Sequence, residues 1–282
     1  MNLLQYVRPT PGVESQILFH IAGFPISNTT FLELFIVFLL GILGLYVIYR
    51  FSVVPKKKIQ HVLELSYEYI VTLIRQTTGN QYVAERVFPL VATIIIFLLV
   101  SNLIGLIPGL TSITYDGVAF FRTPTADINT TLGLAIACML VIHVTSIRDW
   151  GFFAYIGNFI KIKHVVTSFK KGFSNGMLAI IDFFIGLLDI IGELAKVVSL
   201  SLRLFGNMYA GEVLMTILVG LVAYVVPAAW LGLSLLSAVV QAIVFGALVT
   251  IFFSLAVRQE PRKRKGETLS TTQQSYLGHS FS

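Results

Sequence analysis

Apolar side chains run along this chain in long blocks separated by shorter polar stretches. Residues 87–115, 128–147 and 213–257 contain no Asp, Glu, Lys or Arg. A hydrocarbon core about 30 Å thick is crossed by about 20 apolar residues in a helix, so each block is long enough to span one. The pattern predicts five crossings, at about 31–49, 87–107, 128–147, 177–226 and 229–257. Pro108-Gly109 ends the second, and Pro227 separates the fourth from the fifth. Residues 56–78 read differently. Ile59, Val62, Leu63, Leu65, Tyr69, Ile70 and Leu73 recur at helical spacing among Lys, Glu and His. That predicts an amphipathic helix lying on the inner membrane surface or against neighbouring spans. The Ser-, Thr- and Gln-rich stretch at about 266–282 predicts a disordered tail. The expected fold is all-α: a multi-pass membrane protein forming a single membrane domain over residues 1–282, without internal repeats.

Composition agrees and removes other classes. The chain is 56% hydrophobic and 12% charged, where a soluble domain carries roughly 25% charged residues. Cys138 is the only cysteine, which excludes a disulfide framework or a cysteine metal site. Residues 1–30 lack the basic start and short apolar core of a cleaved leader. The net charge of +6 does not mark a nucleic-acid binder, because the positive residues sit in loops beside the spans. Arg50, Lys56, Lys57, Lys58, Arg75 and Arg86 fall in the first inner segment. Arg148, Lys161, Lys163, Lys170 and Lys171 fall in the second. Arg258, Arg262, Lys263, Arg264 and Lys265 fall in the tail. The alternate segments hold only Arg8 and Arg122. By the positive-inside rule the N-terminus is outside and the C-terminus inside.

The fourth segment concentrates the chemistry. Residues 177–222 contain no proline, and as one helix they extend about 69 Å. Such a helix either tilts steeply or breaks near Gly206 or Gly211. It carries Asp182, Asp189, Glu193, Lys196, Arg203 and Glu212. Ionisable groups at membrane depth are expensive and mark ion or proton pathways by default. At about 100° per residue, Ser199, Asn207 and Asp189 lie about 40° from Arg203 and Lys196 about 20° away. Together they make one polar stripe on an apolar helix. Glu193 lies about 80° off, and Glu212, about 180° away, looks at a different neighbour. On the fifth segment, Ser234, Ser237, Ala238 and Gln241 form a small, polar face suited to close packing against the fourth. Intramembrane Ser, Asn and Gln also serve simply to join helices, and Lys196 is placed to pair with Asp189 or Glu193. Arg203 is different, since a guanidinium does not give up its proton. Its position among Leu202, Leu204 and Phe205 calls for a permanent partner or a carboxylate that comes and goes.

Other polar residues weigh less. Asn102 precedes the break that ends the second span and is a candidate channel-lining residue. His143 reads as a packed or interfacial histidine, Cys138 as a core residue, and Asp127 and Asn129 as helix caps. Trp150, Trp230, Tyr46 and Tyr49 fit aromatic belts at span ends. No P-loop and no H-E-x-x-H motif occurs, so the chain carries no nucleotide or metalloprotease signature.

The stretch Ser199-Leu-Ser-Leu-Arg203-Leu-Phe-Gly-Asn207-Met-Tyr-Ala-Gly-Glu212 closely resembles the signature of subunit a of F-type ATP synthase. Pro124-Thr-Ala-Asp127-Ile-Asn129-Thr-Thr-Leu and Ser101-Asn102-Leu with Leu106-Ile-Pro-Gly are similar to that family's third-span opening and second-span end. The resemblance covers about 31–257. It implies two long, strongly tilted final helices, arranged as a hairpin against a ring of c subunits. It implies partners: that ring, b-type peripheral-stalk subunits, the remainder of the F1Fo complex and membrane lipids, with no nucleic acid and no cofactor or metal. Arg203 matches the arginine that faces the c-ring carboxylate. Asn207, Glu212 and Gln241, with Asn102 and Asp189, match positions lining the half-channel from the outer side, and Ser199 matches one near the path to the inner side. Ser234 stands where some members have histidine, and Gly105 where some have aspartate. The wording of the signature resembles bacterial members, which implies the bacterial inner membrane, with an organellar energy-transducing membrane as the alternative. On this likeness the chain is no enzyme by itself. The competing reading is a stand-alone ion channel or secondary transporter.

Overall fold

The computed structural model describes residues 15–21, 24–50, 58–107, 110, 113–115, 118–159, 173–221 and 225–257. The predicted tail at 266–282, Lys56, Lys57 and the Pro108-Gly109 break lie outside the described residues, as do the basic residues 161–171 and 258–265. A hairpin of β1 (Ile17–Ile21) and β2 (Phe24–Ser27) leads into α1 (Asn28–Arg50). Next come α2 (Lys58–Thr78) and α3 (Gln81–Gly105). A two-residue ladder of β3 (Thr114–Tyr115) and β4 (Val118–Ala119) and a 3₁₀ turn, Pro124–Ala126, lead to α4 (Ile128–Trp150). The chain continues through α5 (Phe152–Phe159), α6 (Phe173–Leu221) and α7 (Val225–Val257). Among the described residues, four helices are long and apolar enough to cross a membrane: Asn28–Tyr49, Gln81–Gly105, Ile128–Trp150 and Val225–Val257.

Helix ends outlast the apolar runs where caps permit. α3 starts at Gln81 rather than 87, because Asn80 caps it by accepting from the Tyr82 N–H at 3.0 Å. Gly79, at φ 62°, ends α2 one residue earlier in the left-handed region that glycine adopts freely. α4 continues past 147 to Trp150 and stops at Gly151, φ 81°. The added turn carries Asp149, whose carboxylate takes two 2.6 Å bonds from Arg86. That fork joins the start of α3 to the end of α4. Asp127 caps α4 by accepting from the Asn129 N–H at 2.9 Å, so Asn129 is the bonded partner and not itself a cap.

The long segment shows no break at Gly206 or Gly211. α6 is one helix of 49 residues, about 74 Å long at about 1.5 Å per residue. A rod of that length meets a hydrocarbon layer about 30 Å thick only at a steep tilt. Pro227 lies inside α7 rather than ahead of it. It occupies the first turn, where a backbone N–H has no acceptor within the helix and proline is tolerated.

The core lies where α3 packs on α7, α4 on α6, and α2 against α3 and α7. Val87, Val91 and Leu98 of α3 meet Phe245 and Val249 of α7 in one apolar cluster. The amphipathic residues of α2 divide between two faces. Ile70 and Ile74 are buried, while Val62, Leu65 and Tyr69 are exposed. Cys138 is buried in the same core. Outside it, Phe31 packs edge-on against Phe120, ring centroids 4.8 Å apart, and Phe19 joins at 6.4 Å.

α7 lies tight against α3 at Gly246, where a Cβ atom would stand 2.5 Å from Ile95 Cγ1. Gly232 on the same helix has open space around it. Gly246→Ala is expected to destabilise the protein by about 1–3 kcal/mol through overpacking. Gly232→Ala is expected to be neutral or slightly stabilising. Thermal loss of helicity in detergent, followed by circular dichroism, distinguishes the two.

Candidate functional site

Arg203 stands on the open face of α6. Its side chain is exposed, and so are Ser199, Asp189 and Asn207 along the same stripe, with apolar Val198 and Leu202 beside it. Among the described residues, Arg203 has no ion-pair partner; the two ion pairs seen there are Arg86–Asp149 and Lys196–Glu193. Lys196 Nζ sits 2.6 Å from Glu193 Oε1 and 5.3 Å from the centroid of the Phe252 ring, so its partner is Glu193 and not Asp189.

Toward the C-terminal half of α6 the polar groups are engaged. Asn207 Nδ2 donates to Ser237 Oγ at 3.0 Å, and the Ser237 hydroxyl is 3.1 Å from Asn207 Oδ1. Trp230 Nε1 donates to the Gly211 carbonyl at 3.3 Å. Glu212 turns to the other side of α6 and is half-buried there, near the segment that carries Arg122 and Thr123. One turn beyond Ser237, Gln241 is buried on α7, and Ser234 is half-buried on the same helix. Asn102 is fully buried on α3: its Oδ1 accepts from Thr125 Oγ1 at 2.7 Å, and its Nδ2 donates to the Ala238 carbonyl at 3.4 Å. Gln241 Nε2 and Ser101 Oγ are buried without a hydrogen-bond partner among the described residues. Buried polar atoms of that kind are costly in a dry core and suit a wetted one. Thr131 and Ser201 hydroxyls, 3.2 Å apart, join α4 to α6 nearby.

Asp189 does not belong with this group. It precedes Glu212 by 23 residues on one unbroken helix, roughly 35 Å away and on the far side of Arg203. Helix continuity keeps Asp189 and Glu212 apart, on opposite sides of Arg203. At that end the Tyr155 hydroxyl lies 2.6 Å from His143 Nδ1. Burial, together with the Glu193 carboxylate, pushes the Tyr155 phenol up to about 12. It thus keeps its proton at neutral pH and can donate to the His143 ring.

The fold also recruits residues that periodicity does not single out: Ser101, Arg122, Thr123 and Thr125. The last three come from the segment leading into α4, which no helical wheel relates to α3 or α6. Gly105 has a steric role, since a Cβ there would fall inside the Thr123 side chain. An aspartate at this position would displace that segment. Among the described residues, no group of three or more His, Cys, Asp or Glu forms a metal site.

These features define a multi-pass helical membrane protein with a polar seam buried among its helices and a bare guanidinium on an open face. Residues 29–254 match the family model described as ATP synthase A chain. The chain is 29% identical to the ATP synthase subunit a of Legionella pneumophila (strain Paris) over 258 residues, covering 92% of this chain and 98% of that one. It is 31% identical to that of Moorella thermoacetica over 251 residues, 89% and 96% of the two chains. It is 37% identical to that of Geobacter sp. (strain M21) over 205 residues, 72% and 76%. The chain belongs to the ATP synthase A chain family, the a subunits of the Fo membrane sector. It is thus a multi-pass membrane component of the F1Fo complex.

Thr125→Val removes the buried donor to Asn102 Oδ1 and is expected to destabilise the fold by about 1–3 kcal/mol, with Thr125→Ser close to wild type. The thermal midpoint of the detergent-solubilised protein measures both.

Proposed function

We propose that this chain is the stator side of proton passage through Fo, with two half-channels that meet a c-ring carboxylate on either side of Arg203. The observation that carries the reading is Arg203 itself: a permanent cation on an exposed face of an apolar helix, with no ion-pair partner among the described residues. Such a cation fits a carboxylate that arrives and departs on a neighbouring rotor. The half-channel from the outer side runs past Asn102, Gln241, Asn207 and Glu212. Asp189 and Ser199, with Lys196 and Glu193 nearby, belong to the inner side. Ser234 borders the outer route without a named proton step. The chain catalyses nothing alone. Its partners are the c ring and b-type stalk subunits, and it sits in a bacterial inner membrane with its N-terminus outside. The bacterial relatives and the loop charges support that assignment.

The mechanism follows from solvation. A proton entering from outside neutralises a c-ring carboxylate, which can then face lipid; ionised, it would meet a desolvation penalty of several kcal/mol. After the ring turns, the carboxyl reaches the inner half-channel and releases its proton. The bare carboxylate is drawn to Arg203, whose fixed charge also stops a proton from passing directly between the half-channels. Each proton falling through about 100 mV yields about 2.3 kcal/mol, which becomes torque only without such a leak. An open face lined by Arg203 favours a subunit that works against a ring over a stand-alone channel.

Arg203→Ala in membrane vesicles is expected to abolish proton-driven ATP synthesis while the subunit remains inserted and assembled. Synthesis at the wild-type rate would refute the assignment.

A further inference from the structure

Hydroxyls inside the helices of this chain bond back to their own backbone where they can. Thr93, Ser146, Thr216 and Thr250 each donate to the carbonyl four residues earlier, at 2.7, 2.9, 2.9 and 2.8 Å. Ser101 does not. It is fully buried on α3, and its Oγ meets no hydrogen-bond partner among the described residues, its own helix included. Gln241 Nε2 is in the same condition on α7, with the residue 7% exposed. Two contacts fix how these helices run past each other. Asn102 Nδ2 reaches the Ala238 carbonyl, and Gly246 lies against Ile95. Seven residues back along α3 thus correspond to eight forward along α7, and the pair is antiparallel. At about 1.5 Å per residue, Ser101 and Gln241 stand within about 3 Å of one depth. They also share a flank. Leu98 and Phe245 belong to one buried cluster, and Ser101 follows Leu98 by three residues while Gln241 precedes Phe245 by four, one turn on in each case. Cα–Cβ bonds tilt toward the N-terminus of their own helix, so on antiparallel helices these two side chains tilt toward one another.

We propose that Ser101 Oγ and Gln241 Nε2 hold one water molecule in common, which makes Ser101 a water-positioning residue of the outer passage. Its role in transport rests on the outer-passage reading above. An amide N–H only donates, whereas a hydroxyl both donates and accepts. The water therefore accepts from Gln241 Nε2 and donates to Ser101 Oγ, and its second O–H is left for the next oxygen. Both buried polar groups are then satisfied, as buried water commonly does. A proton that arrives forms an O–H bond on this water as one of the water's own O–H bonds passes its proton onward. Water, Ser101 and Gln241 end unchanged. Leu98 and Phe245 carry no polar side-chain atom, so the wetted layer ends on them. The next polar stop is on α6: Ser237, one turn from Gln241 on α7, bonds Asn207 at 3.0 Å.

The test uses the full complex in membrane vesicles. Cys138, the only native cysteine, is replaced by Ala, and Ser101→Cys, Asn207→Cys and Leu98→Cys are made singly in that background. Silver ion, a small hydrated cation, blocks thiols that water reaches. After unfolding, a blocked thiol takes up no maleimide, and the mass of the subunit gives the blocked fraction. Thiols at 101 and 207 are expected to be blocked and the thiol at 98 to stay free. A blocked thiol at 207 with a free one at 101 overturns the water site and leaves the passage standing. A blocked thiol at 101 with a free one at 207 keeps the water and refutes the passage. Free thiols at both refute the two together, and blocking at 98 overturns a water site that ends on Leu98. Ser101→Ala gives a second readout. It is expected to slow proton-driven ATP synthesis about fivefold at normal assembly, the worth of one net hydrogen bond, with Ser101→Thr closer to wild type. A dry pair behaves oppositely: deleting an unsatisfied hydroxyl raises the thermal midpoint and leaves synthesis unchanged, and that result overturns the proposal.

Discussion

Hydrocarbon accepts no hydrogen bonds, so a polar group carried into it must find its partner within the protein or in water that the protein admits. Much of this fold answers that demand. Asn102 is bracketed by Thr125 and the Ala238 carbonyl, Asn207 by Ser237, and Thr131 by Ser201. Each bond links a different pair of elements, so satisfying the polar groups also sets how the helices sit against one another. Gln241 and Ser101 keep buried polar atoms unmatched by protein, near Asn102. Arg203 departs furthest from the rule, since its side chain is open and no carboxylate of the described residues meets it.

The connection between α3 and α4 does more than join two spans. Its last turn is buried, caps α4 through Asp127, reaches α1 through Thr29, and lays Thr123 against Gly105. Asn28 adds a 3.1 Å bond to the Ala119 carbonyl, and the Phe19–Phe31–Phe120 rings cover this end. At the other end, the Arg86–Asp149 fork and the His143–Tyr155 bond hold α3, α4 and α5 together. The two ends of the bundle are thus fastened by polar bonds, while its middle is held by apolar packing around Leu98, Phe245 and Val249.

Continuity of α6 organises the chemistry along one axis. An unbroken helix fixes the spacing between Asp189, Arg203 and Glu212, and puts the first and last on opposite sides of the guanidinium. A kink at Gly206 or Gly211 would have freed the two halves to turn separately. Helical rotation then turns Glu212 toward the segment that leads into α4 and leaves Arg203 on the open face.

The amino-acid sequence by itself determined the class, the crossings and the helical register. Charge-free runs at membrane length admit few other structures, and the 3.6-residue period fixes which side chains of α6 share a face. It also carried the family through the residues around Arg203. Helix ends were less determinate, because caps such as Asn80 and Asp149's bond to Arg86 extend helices beyond their apolar blocks. Only the tertiary structure decided the rest: the choice of Glu193 as the partner of Lys196, the division of α2 into a buried and an exposed face, and the unbroken run of α6 that separates Asp189 from Glu212. It alone brought Thr125 to Asn102, and Thr123 to Gly105. Those residues lie far apart in the chain, and period or spacing relates positions only within one helix. Contacts between elements are set by packing, which a linear pattern does not encode.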